Sequence, residues 1–175
     1  MKQTISIQYI KTIVGELIIG SIGEQLCLVD YAKRNKRDSI DKRISTKLNA
    51  IYKVENNYLL EQTKAQLNEF LKGERLVFDI PILMIGSEFQ KQVWSALLSI
   101  PYGETISYLS LAKQINNKKA VRAVANANGA NALGIIIPCH RVIASNGTLG
   151  GYAGGLMAKE TLLSIEQKNK LSKPN

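Results

Sequence analysis

The sequence predicts an α+β fold, with a small antiparallel sheet in the N-terminal part and a helical C-terminal part. Residues 3–31 alternate apolar and polar side chains between glycines, which is typical of a strand meander. From residue 87 onward the apolar side chains recur at helical spacing. The change of pattern predicts two domains, residues 1–82 and residues 83–170.

The N-terminal part is expected to hold four strands and one helix. Cys27 falls inside the third strand between two leucines, so it is predicted to be a core residue. The helix is expected to stop at Gly73, and the fourth strand at Pro81. The predicted strands are Thr4–Ile10, Glu16–Ser21, Gln25–Tyr31 and Leu76–Ile80, and the predicted helix is Asn57–Lys72.

A basic run, Lys33–Lys47, lies between the meander and this helix. Its seven basic and two acidic residues supply +5 of the net charge of +9. Such a run is usually a solvated loop or helix face. The alternative is an accessory contact with phosphate groups, because a basic surplus favours anionic partners such as nucleic acid.

The C-terminal part begins with a capping box, Ser87 to Gln90, that predicts a helix start. Two short helices, Ser107–Ile115 and Lys119–Asn128, are separated by a polar turn and form a helix-turn-helix. A last helix is expected over Leu156–Lys168. The apolar face of the first helix comprises Phe89, Val93, Trp94, Leu97 and Leu98.

The second helix of this pair is thin and is edged with positive charge. Alanines recur along it, and no acidic residue stands among its basic neighbours. It either approaches a phosphate backbone closely or packs inside the protein through its alanines. The alanines are Ala120, Ala123, Ala125 and Ala127, and the basic residues are Lys113, Lys118, Lys119 and Arg122.

The reactive groups stand together after an apolar run. Ile135–Ile137 predicts a buried strand or a rigid apolar segment, which Pro138 ends. Cys139 follows, with His140, the only histidine of the chain, and Arg141 beside it. A lone cysteine is ordinarily a small buried apolar residue, but a neighbouring base and cation favour a reactive thiol.

A glycine-rich loop follows, with five glycines among residues 145–155. It is either a flexible connection or a binding loop that lets the backbone approach a ligand, and its place after the thiol favours the second. Cys27 and Cys139 make no disulfide framework, and two distant cysteines with one histidine argue against a structural zinc site. Without an apolar leader or a run of about 18 apolar residues, the chain is expected to be soluble and cytoplasmic.

The chain resembles the O6-alkylguanine-DNA alkyltransferase family, also called methylated-DNA–protein-cysteine methyltransferase, in four motifs that occur in the family's order along the chain. The resemblance covers residues 87–166 strongly, while the N-terminal half matches only in general character. The motifs are Pro138-Cys-His-Arg-Val142, Phe89-Gln-x-x-Val-Trp94, Pro101-Tyr-Gly-Glu-Thr-x-Ser-Tyr108 and Tyr152-x-Gly-Gly-Leu156 with Lys159-Glu160.

The resemblance implies a single-turnover transfer of an alkyl group from O6-alkylguanine in DNA to a cysteine, without a cofactor or a metal. Cys139 would be the nucleophile and acceptor. His140 would take its proton through a water, and Glu166 would hold the imidazole. Tyr108 would help to neutralise the departing guanine, and Asn131 would brace the turn before the reactive segment.

The resemblance also implies a monomer that binds double-stranded DNA in the minor groove and rotates the nucleotide out. Arg122 would fill the vacated place in the stack, and the small Ala123 would let the helix enter the narrow groove. Ser107, Lys118 and Lys119 are the other expected DNA contacts. The expected base pocket comprises Pro138, Val142, Tyr152, Ala153 and Gly154.

The chain departs from the family pattern at three positions. Many members have glycine where this chain has Ala125 and proline where it has Ala132. Some members have serine where it has Ala153. None of these positions carries a catalytic group.

Two other functions use the same residues: a cysteine hydrolase, which turns over many times, and a non-catalytic DNA-binding regulator, which leaves Cys139 unmodified. Acceptance of O4-alkylthymine stays open.

Overall fold

A four-stranded sheet forms the N-terminal part of the computed structural model, which describes residues 1–172. Its strands run in the order β3-β2-β1-β4. The predicted meander of β1 to β3 is antiparallel as expected. The strands are β1 (Gln3–Thr12), β2 (Gly15–Ile22), β3 (Gln25–Tyr31) and β4 (Ala50–Val54).

β4 was not predicted from the sequence. It pairs in parallel with β1, and a helix, α1 (Arg37–Leu48), connects it to β3 at the other edge of the sheet. Ile40 and Ile44 on this helix are buried, so α1 covers one face of the sheet. β4 escaped prediction because it is a short edge strand whose Ile51 and Val54 are exposed.

Leu76–Ile80 is not a strand, contrary to the prediction. This segment is irregular, and just after it Ile82 forms an isolated parallel bridge with Leu26. The amide of Leu26 donates to the Pro81 carbonyl over 2.8 Å, and the amide of Leu83 donates back to Leu26 over 2.8 Å. Proline has no N–H with which to extend this pairing.

The helices lie close to their predicted bounds. The Asn57 side chain caps the N-terminus of α2, and Ser87 and Gln90 form the predicted capping box of α3. Leu98, which was assigned to the apolar face of α3, lies just beyond the helix and is 47% exposed. The helices are α2 (Tyr58–Leu71), α3 (Glu88–Leu97), α4 (Tyr108–Gln114), α5 (Val121–Gly129) and α6 (Leu156–Ser172).

The basic run is only partly solvated. The Arg34 guanidinium donates to the Gly129 carbonyl over 2.6 Å, and that of Arg43 donates to the Ala130 carbonyl over 2.8 Å. Two arginines from the N-terminal half thus hold the carbonyl end of α5, where positive charge is favoured. The prediction of a solvated face therefore fails for these arginines, whereas Lys36 and Lys42 are exposed.

The largest apolar core joins the two halves of the chain. It includes Leu26 and Val29 of β3, Trp94 of α3 and Ile137 beside the reactive segment. Cys27 is 1% exposed in a second cluster beneath α1, as predicted. The division at residue 82 stays a prediction. No helix within residues 1–172 is both long enough and apolar enough to cross a membrane.

Candidate active site

The segment before the reactive thiol is a tight turn and not a strand. Ile135 lies at φ +69°, a strained conformation for a β-branched residue, and the amide of Ile137 donates to the Leu133 carbonyl over 2.8 Å. β3 holds this turn, because the Val29 amide donates to Ala132 and the Val29 carbonyl accepts from Gly134. The segment is buried as predicted, and of the two alternatives, a strand or a rigid apolar segment, the strand is wrong.

Asn131 ties the turn together from inside. Its side-chain amide donates to the Ile137 carbonyl over 3.0 Å, and its side-chain oxygen accepts from the Leu133 amide over 2.9 Å. Asn131 is 3% exposed, so both bonds are shielded from water. The side chain therefore connects the two ends of the segment that carries the thiol.

A single turn of 3-10 helix, Cys139–Arg141, carries the thiol to the wall of a cavity of about 370 Å³. Cys139 is 6% exposed. Residues from both halves of the chain line the cavity: Arg34, Asn35, Lys36, Tyr108, Ala125, Asn126, Asn128, Gly129, Asn131, Cys139, Gly151, Tyr152 and Ala153.

The thiol is protonated at rest. Burial raises the pKa of Cys139, and the Asn131 amide and the charges of Arg34 and Lys159 only partly oppose this effect. Because the thiolate is the nucleophilic form, the site needs a base to remove the proton.

His140 and Glu166 form a buried pair. Nε2 of His140 lies 2.6 Å from Oε1 of Glu166, and neither side chain is more than 1% exposed. Burial lowers the pKa of His140 although Glu166 raises it, so the ring is neutral at pH 7. A proton on Nε2, facing the carboxylate, leaves Nδ1 as the acceptor, and Nδ1 has no hydrogen-bond partner within residues 1–172.

Arg141 holds Glu166 and not the thiol, contrary to the expectation that it would assist Cys139. Its guanidinium donates to both oxygens of Glu166 at 3.0–3.1 Å and to the Ile100 carbonyl at 2.7 Å. The amide of Gly103 also donates to Glu166, over 3.0 Å. Burial raises the pKa of Glu166, but the bonds from His140 and Arg141 outweigh burial and lower it.

Tyr108 and Asn128 line the cavity beside Cys139. Burial raises the pKa of the Tyr108 phenol, which keeps its proton available for donation. Asn128 was not singled out from the sequence. It is 6% exposed, and its side-chain amide donates to the Cys139 carbonyl over 3.4 Å. The sequence signal that could have identified Asn128 was its polar side chain on the face of α5 that is otherwise apolar.

Lys159 is a second residue that the sequence did not single out as functional. It is 0% exposed, and its ammonium donates to the carbonyls of Val142 (2.6 Å) and Leu149, with Gly151 at 3.4 Å. Burial lowers its pKa to about 8. Lys159, Leu162 and Glu166 share one face of α6, so a basic and an acidic residue on a buried helical face were the available signal.

The glycine-rich loop forms another wall of the cavity. The Tyr31 hydroxyl donates to the Tyr152 hydroxyl over 3.2 Å, and a Cβ on Gly154 would lie only 2.3 Å from the Tyr31 ring. Of the residues predicted for the base pocket, Tyr152 and Ala153 line the cavity, whereas Val142, Pro138 and Gly154 do not. Pro138 lines a separate apolar groove, and the carbonyl of Val142 is engaged by Lys159.

The helix-turn-helix presents its basic edge to solvent. Lys118, Lys119, Arg122 and Ala123 are exposed, and the three cations have no salt bridge within the described residues. Ser107 caps α4 through its hydroxyl. Ala125, Asn126 and Gly129 line the cavity. Arg122 lies on the same face of α5 as these three residues, at helical spacing from them.

A family model and curated relatives match this chain. The model described as "6-O-methylguanine DNA methyltransferase, DNA binding domain" matches residues 88–168. A methylated-DNA–protein-cysteine methyltransferase of Methanosarcina acetivorans is 42% identical over 153 residues, which are 87% of this chain and 92% of the relative. An inducible protein of the same name from Bacillus subtilis is 46% identical over 66% of this chain and 64% of its own length.

Solved structures also match. A crystal structure of Mycobacterium tuberculosis OGT in complex with DNA has a TM-score of 0.79 and 35% identity, covering 95% of this chain and 94% of the other. The O6-methylguanine-DNA methyltransferase of the archaeon Pyrococcus kodakaraensis has a TM-score of 0.71 at 23% identity, covering 93% and 98%, and supports the α+β fold alone.

Proposed function

Because this chain belongs to the methylated-DNA–protein-cysteine methyltransferase family, as 42% identity over 87% of its length shows, we propose that Cys139 accepts an alkyl group from O6-alkylguanine in DNA. The protein is a DNA-binding enzyme of direct-reversal repair, and each molecule acts once. The observation that carries the assignment to Cys139 is its place on the wall of a base-sized cavity, next to the buried His140–Glu166 pair.

The chemistry begins with proton removal from the thiol. His140 takes the proton on Nδ1 through a bridging water, and Glu166 stabilises the imidazolium that results. The sulfur then attacks the alkyl carbon, the bond between that carbon and O6 breaks, and its electron pair returns to the guanine ring. Tyr108 donates a hydrogen bond to the departing guanine. The thioether on Cys139 has no leaving thiolate, so the protein is consumed.

The target base must leave the duplex to reach a thiol that is 6% exposed at the cavity wall. The cavity of about 370 Å³ suits one base, with Tyr152 and Ala153 on its wall. Arg122 takes the vacated place in the stack, and α5 enters the minor groove, where Ala123 avoids a clash. Lys118, Lys119 and Ser107 contact the backbone, and one monomer suffices for the reaction.

The test is intact mass spectrometry after incubation with a duplex containing O6-methylguanine. Wild-type protein should gain one methyl group per molecule, mapped to Cys139. Cys139→Ser should bind the duplex and gain none, because an alcohol is far less acidic than a thiol. A methyl group on the serine variant, or repair of more lesions than protein molecules, contradicts the proposal; the second result would favour a hydrolase. An unmodified wild-type protein that still binds DNA would favour a regulator.

A further inference from the structure

We propose that the loop between β3 and α1 makes a second contact with DNA, in which Lys36 binds a phosphate next to the extruded nucleotide. This inference rests on the proposed function. It concerns the basic run, whose exposed lysines are not part of the helix-turn-helix and have no role in the chemistry at Cys139.

The loop forms one wall of the cavity that contains Cys139. Arg34, Asn35 and Lys36 line it together with residues of α5 and of the glycine-rich loop. Within residues 1–172, the residues that line this cavity include three cationic or amide side chains from this loop and no acidic side chain. The N-terminal half therefore contributes positive charge to the mouth of a pocket otherwise built from the C-terminal half.

The backbone of the loop is fixed in place. The Arg34 side chain is 6% exposed and is held between Asp30, at 3.2 Å, and the Gly129 carbonyl, at 2.6 Å. Arg37 binds the other oxygen of Asp30 over 2.6 Å. Lys36 lies between these two arginines, and its carbonyl accepts from the Ser39 hydroxyl over 3.0 Å. The backbone of Lys36 is therefore held at the cavity wall by the contacts of its neighbours.

The ammonium of Lys36 is available to a ligand. Lys36 is exposed and makes no side-chain hydrogen bond or salt bridge with the part of the chain that the structure describes. By contrast, the nearby Arg34, Arg37 and Arg43 bind Asp30, Asp41 or backbone carbonyls. The arginines of the run thus serve the fold, whereas Lys36 projects from the cavity rim without a partner.

The ligand that we expect for Lys36 is a phosphate group of the extruded nucleotide. A base that enters the cavity stays joined through its sugar to two phosphates, which must lie at the cavity mouth. Lys36 is the exposed lysine on that rim. Its ammonium acts as a point charge that favours phosphate without reading the base sequence, as expected for an enzyme that repairs lesions in any context.

The salt dependence of binding tests this contact. Lys36→Gln and Lys36→Glu are compared with Lys42→Gln, which removes an exposed lysine of the same run that does not line the cavity. Each is made in a Cys139→Ser background, so that no transfer occurs during titration with a labelled duplex containing O6-methylguanine. The dissociation constant is measured across a range of salt concentrations.

Lys36→Gln should make the negative slope of log affinity against log salt shallower by about 0.9, the value for one lost phosphate contact, and Lys36→Glu should weaken binding further. Lys42→Gln should leave the slope as in the parent. Equal slopes for all variants, or equal losses for Lys36→Gln and Lys42→Gln, would overturn the inference. Alkyl transfer to Cys139 in the wild type is scored separately, so failure of this contact leaves the proposed function intact.

Discussion

One carboxylate organises the reactive residues. Glu166 accepts from the His140 ring, from the Arg141 guanidinium and from the Gly103 amide. Arg141 neutralises the carboxylate, so the buried cluster carries no net charge while His140 is neutral. Adding the thiol proton to His140 makes the cluster positive, and the charge of Glu166 is what stabilises that state.

Glu166→Gln should therefore slow alkyl transfer at least about tenfold, because the loss of the carboxylate makes His140 a weaker base. It should also lower the free energy of unfolding by about 3 kcal/mol, since Arg141 stays buried without its counter-charge. Single-turnover transfer rates and denaturant unfolding measure the two effects.

The matched control for this change is Glu160→Gln, an exposed glutamate on the same helix. It should alter stability by no more than about 0.5 kcal/mol and leave the transfer rate unchanged. Equal rates for Glu166→Gln and the wild type would remove Glu166 from the mechanism.

The sequence indicated the residues whose types are chemically distinctive. Cys139 and His140 stood together as a thiol and the only imidazole, and the family resemblance added Glu166. Lys159 and Asn128 were missed because their functions depend on burial. A lysine on a helix is ordinarily a surface residue, and only the packing of α6 shows that Lys159 binds the Leu149 and Gly151 carbonyls of the glycine-rich loop.

Among the elements, the glycine-rich loop depends most on close packing against another part of the chain. Gly154 lies against the ring of Tyr31 in β3, and the Tyr31 hydroxyl is hydrogen-bonded to the Tyr152 hydroxyl. The cavity wall at Tyr152 and Ala153 is thus supported by a strand of the N-terminal half.

Gly154→Ala should lower the free energy of unfolding by about 1–3 kcal/mol, since its Cβ would lie 2.3 Å from ring carbons of Tyr31 and the loop must move. Gly151→Ala is the control in the same loop, because its Cβ would meet no atom within 4 Å. Thermal and denaturant unfolding of both variants test this difference. Equal stability of the two variants would show that the loop yields without cost.

The incorrect prediction of a strand at Ile135–Ile137 has a physical cause. Three β-branched residues in a row favour extended backbone, and local preference suggested a strand. Two non-local features override it: Asn131 joins both ends of the segment, and the Val29 carbonyl and amide hold Gly134 and Ala132. Neither partner can be read from the run itself. By contrast, the helix bounds were predictable because caps such as Asn57 and Ser87 lie adjacent in sequence.

At the scale of the whole molecule, the two halves share one core and one site. β3 contributes Leu26 and Val29 to the cluster that contains Trp94 and Cys139. The arginines of the basic run hold the end of α5. The change of sequence pattern near residue 82 could not reveal these contacts, because they join residues far apart in the chain.

This shared core predicts that the protein unfolds in one cooperative transition. Trp94 is the single tryptophan, and its indole donates to the Ala127 carbonyl over 2.8 Å, so its fluorescence reports on the C-terminal half. Leu26→Ala, in the N-terminal sheet, should cost about 2–5 kcal/mol and move the fluorescence transition as far as the circular dichroism transition. Ile51→Ala, on the exposed edge of β4, should move both much less. A fluorescence transition that Leu26→Ala leaves unmoved would instead establish two independently folding domains, because the loss in the sheet would then fail to reach Trp94.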